Sequence, residues 1–247
     1  MIRNFKITLS YDGSRYSGWQ KQGNTPNTIQ GKLEKVLSAM FGTQIEIQGS
    51  GRTDAGVHAA AQVANFKVNT KVSADEICKY LRNYLPQDIG VLAVEEVSEQ
   101  FHARLTAKRK TYCYRIWNSD IPNVFERKYL YILPDQLDVA AMQDAIPYFL
   151  GEHDFRAFCS NPDFKKSSVR TIYAMELEQI GHELRLTVTG NGFLYNMVRL
   201  IMGTLLQVGK GTLKAQEIPE ILESKERWRA GPMAPACGLC MMEVNYE

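Results

Sequence analysis

Histidine is scarce in this sequence, cysteine is odd in number and no apolar run is long. The 247 residues include four histidines and five cysteines. His58, His102 and His153 do not stand at metal-ligand spacing and are expected as polar contacts or core residues. The cysteines, Cys78, Cys113, Cys159, Cys237 and Cys240, are scattered, which argues for reduced thiols. CGLC at 237–240 is a lone pair, and zinc needs four ligands. The opening MIRNFKITLS has no basic segment leading into an apolar stretch, so no secretory signal is expected. The weakly charged span from Leu186 to Gly209 is broken by Asn191, Asn196, Arg199 and Gln207, too often for a membrane span. A cytoplasmic protein is the expectation. Phosphate-loop chemistry is also missing: no Gly-Lys-Ser/Thr occurs, and GSGRTDAG lacks the third glycine of a dinucleotide loop. Acids and histidines are not clustered, which speaks against a metal-dependent nuclease.

What is present supports a folded α+β protein. Hydrophobic residues make up 45% of the chain and charged residues 23%, enough for one large domain or two modest ones. The net charge of +2 is unevenly spread. Residues 1–116 carry 16 Lys and Arg against 10 Asp and Glu, whereas residues 117–247 carry 13 against 17. That asymmetry suits a polyanion gripped mainly by the first half.

FKITLSY alternates apolar and polar residues and predicts a strand. A Gly- and Ser-rich loop follows, with Arg15, Tyr16, Trp19 and Lys21 expected to be exposed. Helical spacing from Ile29 to Phe41, with Asn27 as cap, predicts a helix, and TQIEIQ a short strand. AAQVANFKV reads as a strand, Ser73 and Glu76 as a capping box, and DIGVLAVEEV as another strand. Strand-helix-strand-strand-helix-strand is the order of ferredoxin-like units. The second half predicts strands at RKTYCYRIW, 169–180, 183–189 and LCMMEVNY, with helices over 138–150, 194–208 and 214–223. The expected division is 1–104 and 105–247, joined by the basic connector FHARLTAKRK at 101–110. Phosphates could lie along that connector.

GSGRTDAGVHA at 49–59 sets a cation and a carboxylate two residues apart between glycines. Asp54 could cap a turn, or act as nucleophile or base. Arg199 is the single formal charge between Leu186 and Gly209 and sits among Leu194, Val198, Ile201, Met202, Leu205 and Leu206. Its guanidinium either snorkels to water or pairs with a buried anion, and Asp54 is one candidate. Tyr112 and Tyr114 share a strand face; Tyr114 suits the core, and Tyr112 suits either the core or stacking on an unpaired base.

YDGSRYSGWQ, GSGRTDAGVHA, FHARLTAKRKTYCYR, GEHDFRAF, GNGFLYNMVRLIMGTLLQVGKG and APACGLCMMEVNYE follow one another along the chain. In that order they resemble the blocks of the TruA-type tRNA pseudouridine synthases. The resemblance implies a pseudouridine synthase fold, with two ferredoxin-like lobes, a mainly antiparallel sheet and a central basic cleft. It implies isomerisation of uridines 38, 39 and 40 in the anticodon stem-loop of tRNA, by a homodimer that uses no metal or organic cofactor. Asp54 matches the catalytic aspartate, Tyr112 the tyrosine against the target base and Arg199 the arginine paired with the aspartate. Arg52 matches the arginine that accompanies base flipping, and Leu239 an apolar pocket position. Arg52, His58, Arg104, Lys108 and Arg109 are expected to meet RNA. The rival expectation is a non-catalytic RNA-binding protein or tRNA chaperone, which would have no use for Asp54 and Arg199 together.

Overall fold

A computed structural model describes residues 2–161 and 167–247. The chain forms two compact units, Met1–Lys108 with Cys240–Glu247, and Arg109–Leu239. The last eight residues thus group with the first unit.

In the first unit, β1 (Ile2–Tyr11), β2 (Gln48–Gly49), β3 (His58–Asn69) and β4 (Ile89–Val97) pair in the order β4-β1-β3-β2, all antiparallel. With α1 (Ile29–Phe41) and α2 (Ala74–Tyr84), this is the ferredoxin-like arrangement. β10 (Leu239–Asn245) joins β3 in parallel, with Cys240 opposite His58 and Met241 opposite Ala59. The alternation in β1 works as the sequence demands: Phe5, Ile7, Leu9 and Tyr11 are buried, while Lys6, Thr8 and Ser10 are half-exposed. Phe5 stacks on Phe66 with ring centroids 5.5 Å apart. Ile29, Leu33 and Leu37 of α1 and Ile77 and Leu81 of α2 supply the helical share of this core. The capping box is present, with Ser73 N–H donating to Glu76 at 2.9 Å and Glu76 N–H to Ser73 Oγ at 3.3 Å.

Three local expectations change. The cap of α1 is Thr28, whose Oγ1 accepts from Gly31 N–H, while Asn27 donates its side-chain amide to the Arg15 carbonyl. Of the expected strand TQIEIQ at 43–48, only Gln48 is in a strand, as the first residue of β2. Side chains of α1 satisfy its earlier backbone instead: Ile45 N–H donates to Ser38 Oγ and Ile47 N–H to Glu34. Tyr16 and Trp19 are buried rather than exposed. The Tyr16 hydroxyl donates to Asp88 at 2.6 Å, and the Trp19 ring fills the space a side chain at Gly49 would occupy.

In the second unit, β5 (Arg109–Trp117), β7 (Gly151–Asp154), β8 (Val169–Ile180) and β9 (Glu183–Gly190) form an antiparallel sheet ordered β5-β9-β8-β7. The short β6 (Tyr131–Ile132) pairs in parallel with β5. The helix expected at 138–150 is α3 (Val139–Ala145) followed by a 3-10 turn over Ile146–Phe149, because Pro147 has no N–H to continue the α ladder. α4 (Met197–Gly209) begins later than 194, since Asn196 adopts the left-handed conformation at φ 62°. α5 (Ile218–Ser224) follows a 3-10 turn over Ala215–Glu217. Among the described residues no helix is long and apolar enough to cross a membrane.

One charged cluster ties β5 to β9. Glu183 accepts from Arg115 Nε and from Arg185 Nε, each at 2.6 Å. Burial alone would push the Glu183 carboxyl up, but the two guanidiniums outweigh it and hold the group at about 2. A carboxyl depressed on folding contributes stability above its unfolded value of about 4.5, and that contribution disappears as pH falls through about 2. Glu183→Gln should therefore lower stability by up to about 3 kcal/mol at neutral pH, since it removes the buried carboxylate that two partly exposed guanidiniums share. The deficit should shrink as the parent is titrated from about pH 4.5 towards 2, which urea melts across that range would measure.

Candidate active site

The Asp54 loop lies in the first unit between β2 and β3. Asp54 is half-exposed, whereas its neighbour Thr53 is buried. The loop turns back after the aspartate, with Val57 N–H donating to the Asp54 carbonyl at 3.1 Å and Gly56 at φ 81°. The segment after β1 braces it. Trp19 N–H donates to the Thr53 carbonyl at 3.0 Å. Gly18 sits at φ 88°, and a Cβ there would come within 2.7 Å of the Thr53 carbonyl oxygen. YDGSRYSGW therefore needs a glycine here for backbone angle and for close approach.

Beneath the loop, side chains from β1 and β3 join it. The Tyr11 hydroxyl and Thr53 Oγ1 are 2.8 Å apart. Gln62 donates to the Gly51 carbonyl at 3.1 Å and to the Tyr11 hydroxyl at 3.4 Å, and accepts from Ser50 Oγ at 2.5 Å. Burial holds the Tyr11 phenol far above its ordinary value, so it keeps its proton. The Tyr11 hydroxyl accepts from Gln62 and shares a further hydrogen bond with Thr53 Oγ1, in which either oxygen can donate. Sequence reasoning missed this set. Its trace is Gln62, an amide that interrupts the mostly apolar run from Ala59 to Ala64.

The first-unit residues expected at RNA differ in exposure. Arg52 is exposed, with its Nε donating to Gln20 at 3.1 Å. Arg104 and Lys108 are exposed on the connector, where His102 Nδ1 accepts from Arg104 N–H at 3.1 Å. His58 is buried; its Nδ1 accepts from Gly13 N–H at 3.1 Å and lies 3.3 Å from Asp12. Its ring thus supports the turn at Asp12 and Gly13 from within the fold.

In the second unit Tyr112 and Tyr114 are both buried. Tyr112 meets Phe193 edge-on, centroids 5.2 Å apart. The Tyr114 hydroxyl donates to the Pro235 carbonyl at 2.6 Å, which fits its expected place in the core. Arg109 is exposed and places its guanidinium over the Tyr173 ring at 5.1 Å. Arg199 is buried on α4. Its Nε donates to the Ala234 carbonyl at 2.8 Å, and Ala234 N–H returns a bond to the Arg199 carbonyl at 3.1 Å. Gly203, one turn on, permits this approach: a Cβ would fall 1.6 Å from the Pro232 carbonyl oxygen. Leu239 is buried. The Cys237 thiol donates to the Leu130 carbonyl at 3.5 Å, and among the described residues no cluster of three or more His, Cys, Asp or Glu could hold a metal ion.

A family model described as tRNA pseudouridine synthase matches residues 7–105 and 145–247. The chain belongs to the tRNA pseudouridine synthase family. Its relatives include tRNA pseudouridine synthase A 2 of Bacillus cereus strain ZK / E33L, 48% identical over 99% of this chain and 100% of that protein. tRNA pseudouridine synthase A of Bacillus sp. strain KSM-64 is 47% identical, and that of Acetivibrio thermocellus 46%, each with the same coverage. The enzyme is thus an isomerase that converts uridine to pseudouridine in tRNA. The first matched segment spans the Asp54 loop, and the second spans Arg199 and Leu239.

Proposed function

We propose that this enzyme isomerises uridines 38, 39 and 40 of the tRNA anticodon stem-loop, with Asp54 as the catalytic carboxylate. The observation that carries the proposal is the Asp54 loop itself. It presents a half-exposed carboxylate on a backbone fixed from beneath by buried hydrogen bonds, within the GRTDAGVHA block of a pseudouridine synthase. The lobe to residue 104 carries that loop, and the lobe from 105 supplies Tyr112, Arg199 and Leu239.

The reaction breaks N1–C1′, turns the uracil and joins C5 to C1′. C5 loses a proton and N1 gains one, so no electrons are exchanged with a cofactor. An ionised Asp54 serves either as nucleophile or as base in the glycosidic step. A guanidinium favours an ionised carboxylate, which is the role assigned to Arg199. The uridine must first leave its stack, at a cost of a few kcal/mol. Arg52 fills the vacated place, while Tyr112 and Leu239 hold the detached ring. Arg104, Lys108 and Arg109 neutralise phosphates along the connector. The working enzyme is a cytoplasmic homodimer without metal.

Incubating the enzyme with an unmodified tRNA transcript and a chelator, then mapping pseudouridine by position, tests this. Product is expected at positions 38 to 40, undiminished by the chelator. Product confined to other positions, or abolished by the chelator, would overturn the proposal.

A further inference from the structure

Gln62 is a costly residue to place where it stands. It lies in the middle of β3, fully buried, and an aliphatic side chain there would match Val63 and Ala64 beside it. Its amide is used in full by the Asp54 loop and its support. The oxygen accepts from Ser50 Oγ at 2.5 Å and from Val63 N–H at 3.2 Å. The nitrogen donates to the Gly51 carbonyl at 3.1 Å and to the Tyr11 hydroxyl at 3.4 Å, and Tyr11 passes the chain on to Thr53. Ser50, Tyr11 and Thr53 are themselves buried. Residues 50, 51 and 53 are therefore all fixed by one network, and they bracket Arg52 and lead directly into Asp54. Ser50 is also anchored through its backbone, its N–H donating to the Val63 carbonyl at 2.7 Å.

We infer that Gln62 is a positioning residue for the isomerisation: through Ser50, Gly51 and the Tyr11–Thr53 pair it sets the aim of the Asp54 carboxylate. The inference rests on Asp54 being the catalytic carboxylate. A buried, fully satisfied polar network specifies one backbone arrangement where apolar packing would tolerate several. A carboxylate that must meet a single carbon of a flipped nucleotide gains from that restriction, because a misplacement of about 1 Å can cost roughly 10²-fold in rate. The exposed face of the loop is untouched by the network, so tRNA affinity should be insensitive to it.

The test is single-turnover tritium release from tRNA carrying 5-tritiated uridine, with tRNA Kd and thermal melting measured on the same samples. Gln62→Met, of similar length but without hydrogen bonds, should lose roughly 10²-fold in rate and keep its Kd within about twofold. Gln62→Glu supplies a readout that a purely structural role would not move. Its neutral acid can accept from Ser50 and donate to Gly51, whereas its carboxylate cannot donate. Burial raises such a carboxyl, so the rate per folded molecule should climb towards the parental value as pH falls from about 8 to 6, with no such climb in the parent. If Gln62→Met does not fold, the pH profile of Gln62→Glu and the rate of Tyr11→Phe decide. A folded Gln62→Met at the parental rate, or a loss seen entirely in Kd, overturns the inference; so does a flat Gln62→Glu profile. Asp54→Asn is run alongside. Turnover by Asp54→Asn sinks the catalytic assignment, whereas an inactive Asp54→Asn beside a fully active Gln62→Met sinks only the role of Gln62.

Discussion

Asp54→Asn should bind tRNA as the parent does and release no tritium from 5-tritiated uridine. The substitution keeps the size of the side chain and its ability to accept one hydrogen bond. It removes the negative charge and the lone pair needed to attack carbon or take a proton. The supports run through the Thr53 carbonyl and hydroxyl, the Gly51 carbonyl and the Ser50 backbone, none of which changes. The expected loss is at least about 10⁴-fold in single-turnover rate, the scale on which removal of a covalent catalyst is felt. Gel shift or filter binding gives the affinity. Equal loss of binding and rate would instead place Asp54 among the groups that merely grip RNA.

Arg199→Met should be the second most damaging change. Its effect divides into two parts that are measured separately. The structural part concerns Ala234, whose carbonyl accepts from Arg199 Nε at 2.8 Å. A buried carbonyl without its donor costs about 1–3 kcal/mol, which thermal melting of the variant would register. The catalytic part is loss of the guanidinium assigned to the Asp54 carboxylate, expected to lower the single-turnover rate by about 10²–10³-fold. Arg199→Lys keeps a charge but has no fork with which to donate to Ala234 while facing an anion. It should recover little of the rate. A folded Arg199→Met with parental turnover would leave Arg199 a purely structural role on α4.

Local chemistry was the most legible part of the fold. The Ser73–Glu76 box and the strand at Arg109–Trp117 are specified within a few residues, and both form as the sequence predicts. The alternation in β1 also translated directly into burial. What the sequence obscured was decided by distant partners. Tyr16 and Trp19 look like loop aromatics until Asp88 and Gly49 are brought to them, 72 positions away in the case of Tyr16 and its partner. TQIEIQ has strand composition, yet Ser38 and Glu34 of the preceding helix take the N–H groups a neighbouring strand would need. Asn196 stops α4 from starting at Leu194 because its backbone turns left-handed. The proposed site residues divide in the same way. GRTDAGVHA drew attention to the loop that carries Asp54, and the isolated charge drew attention to Arg199 on α4, which is buried. Gln62 carried only a faint signal, because an amide within a strand has no meaning until Ser50, Gly51 and Tyr11 surround it.

A structure of the enzyme bound to tRNA would test the central assignment most directly, through one distance from Asp54 to the target nucleotide. The expected result is a uridine swung out of the anticodon arm, its ring against Tyr112 and an Asp54 oxygen about 3–3.5 Å from the ribose. A tRNA seated with all three uridines stacked, or with the flipped base lodged away from the Asp54 loop, would contradict it.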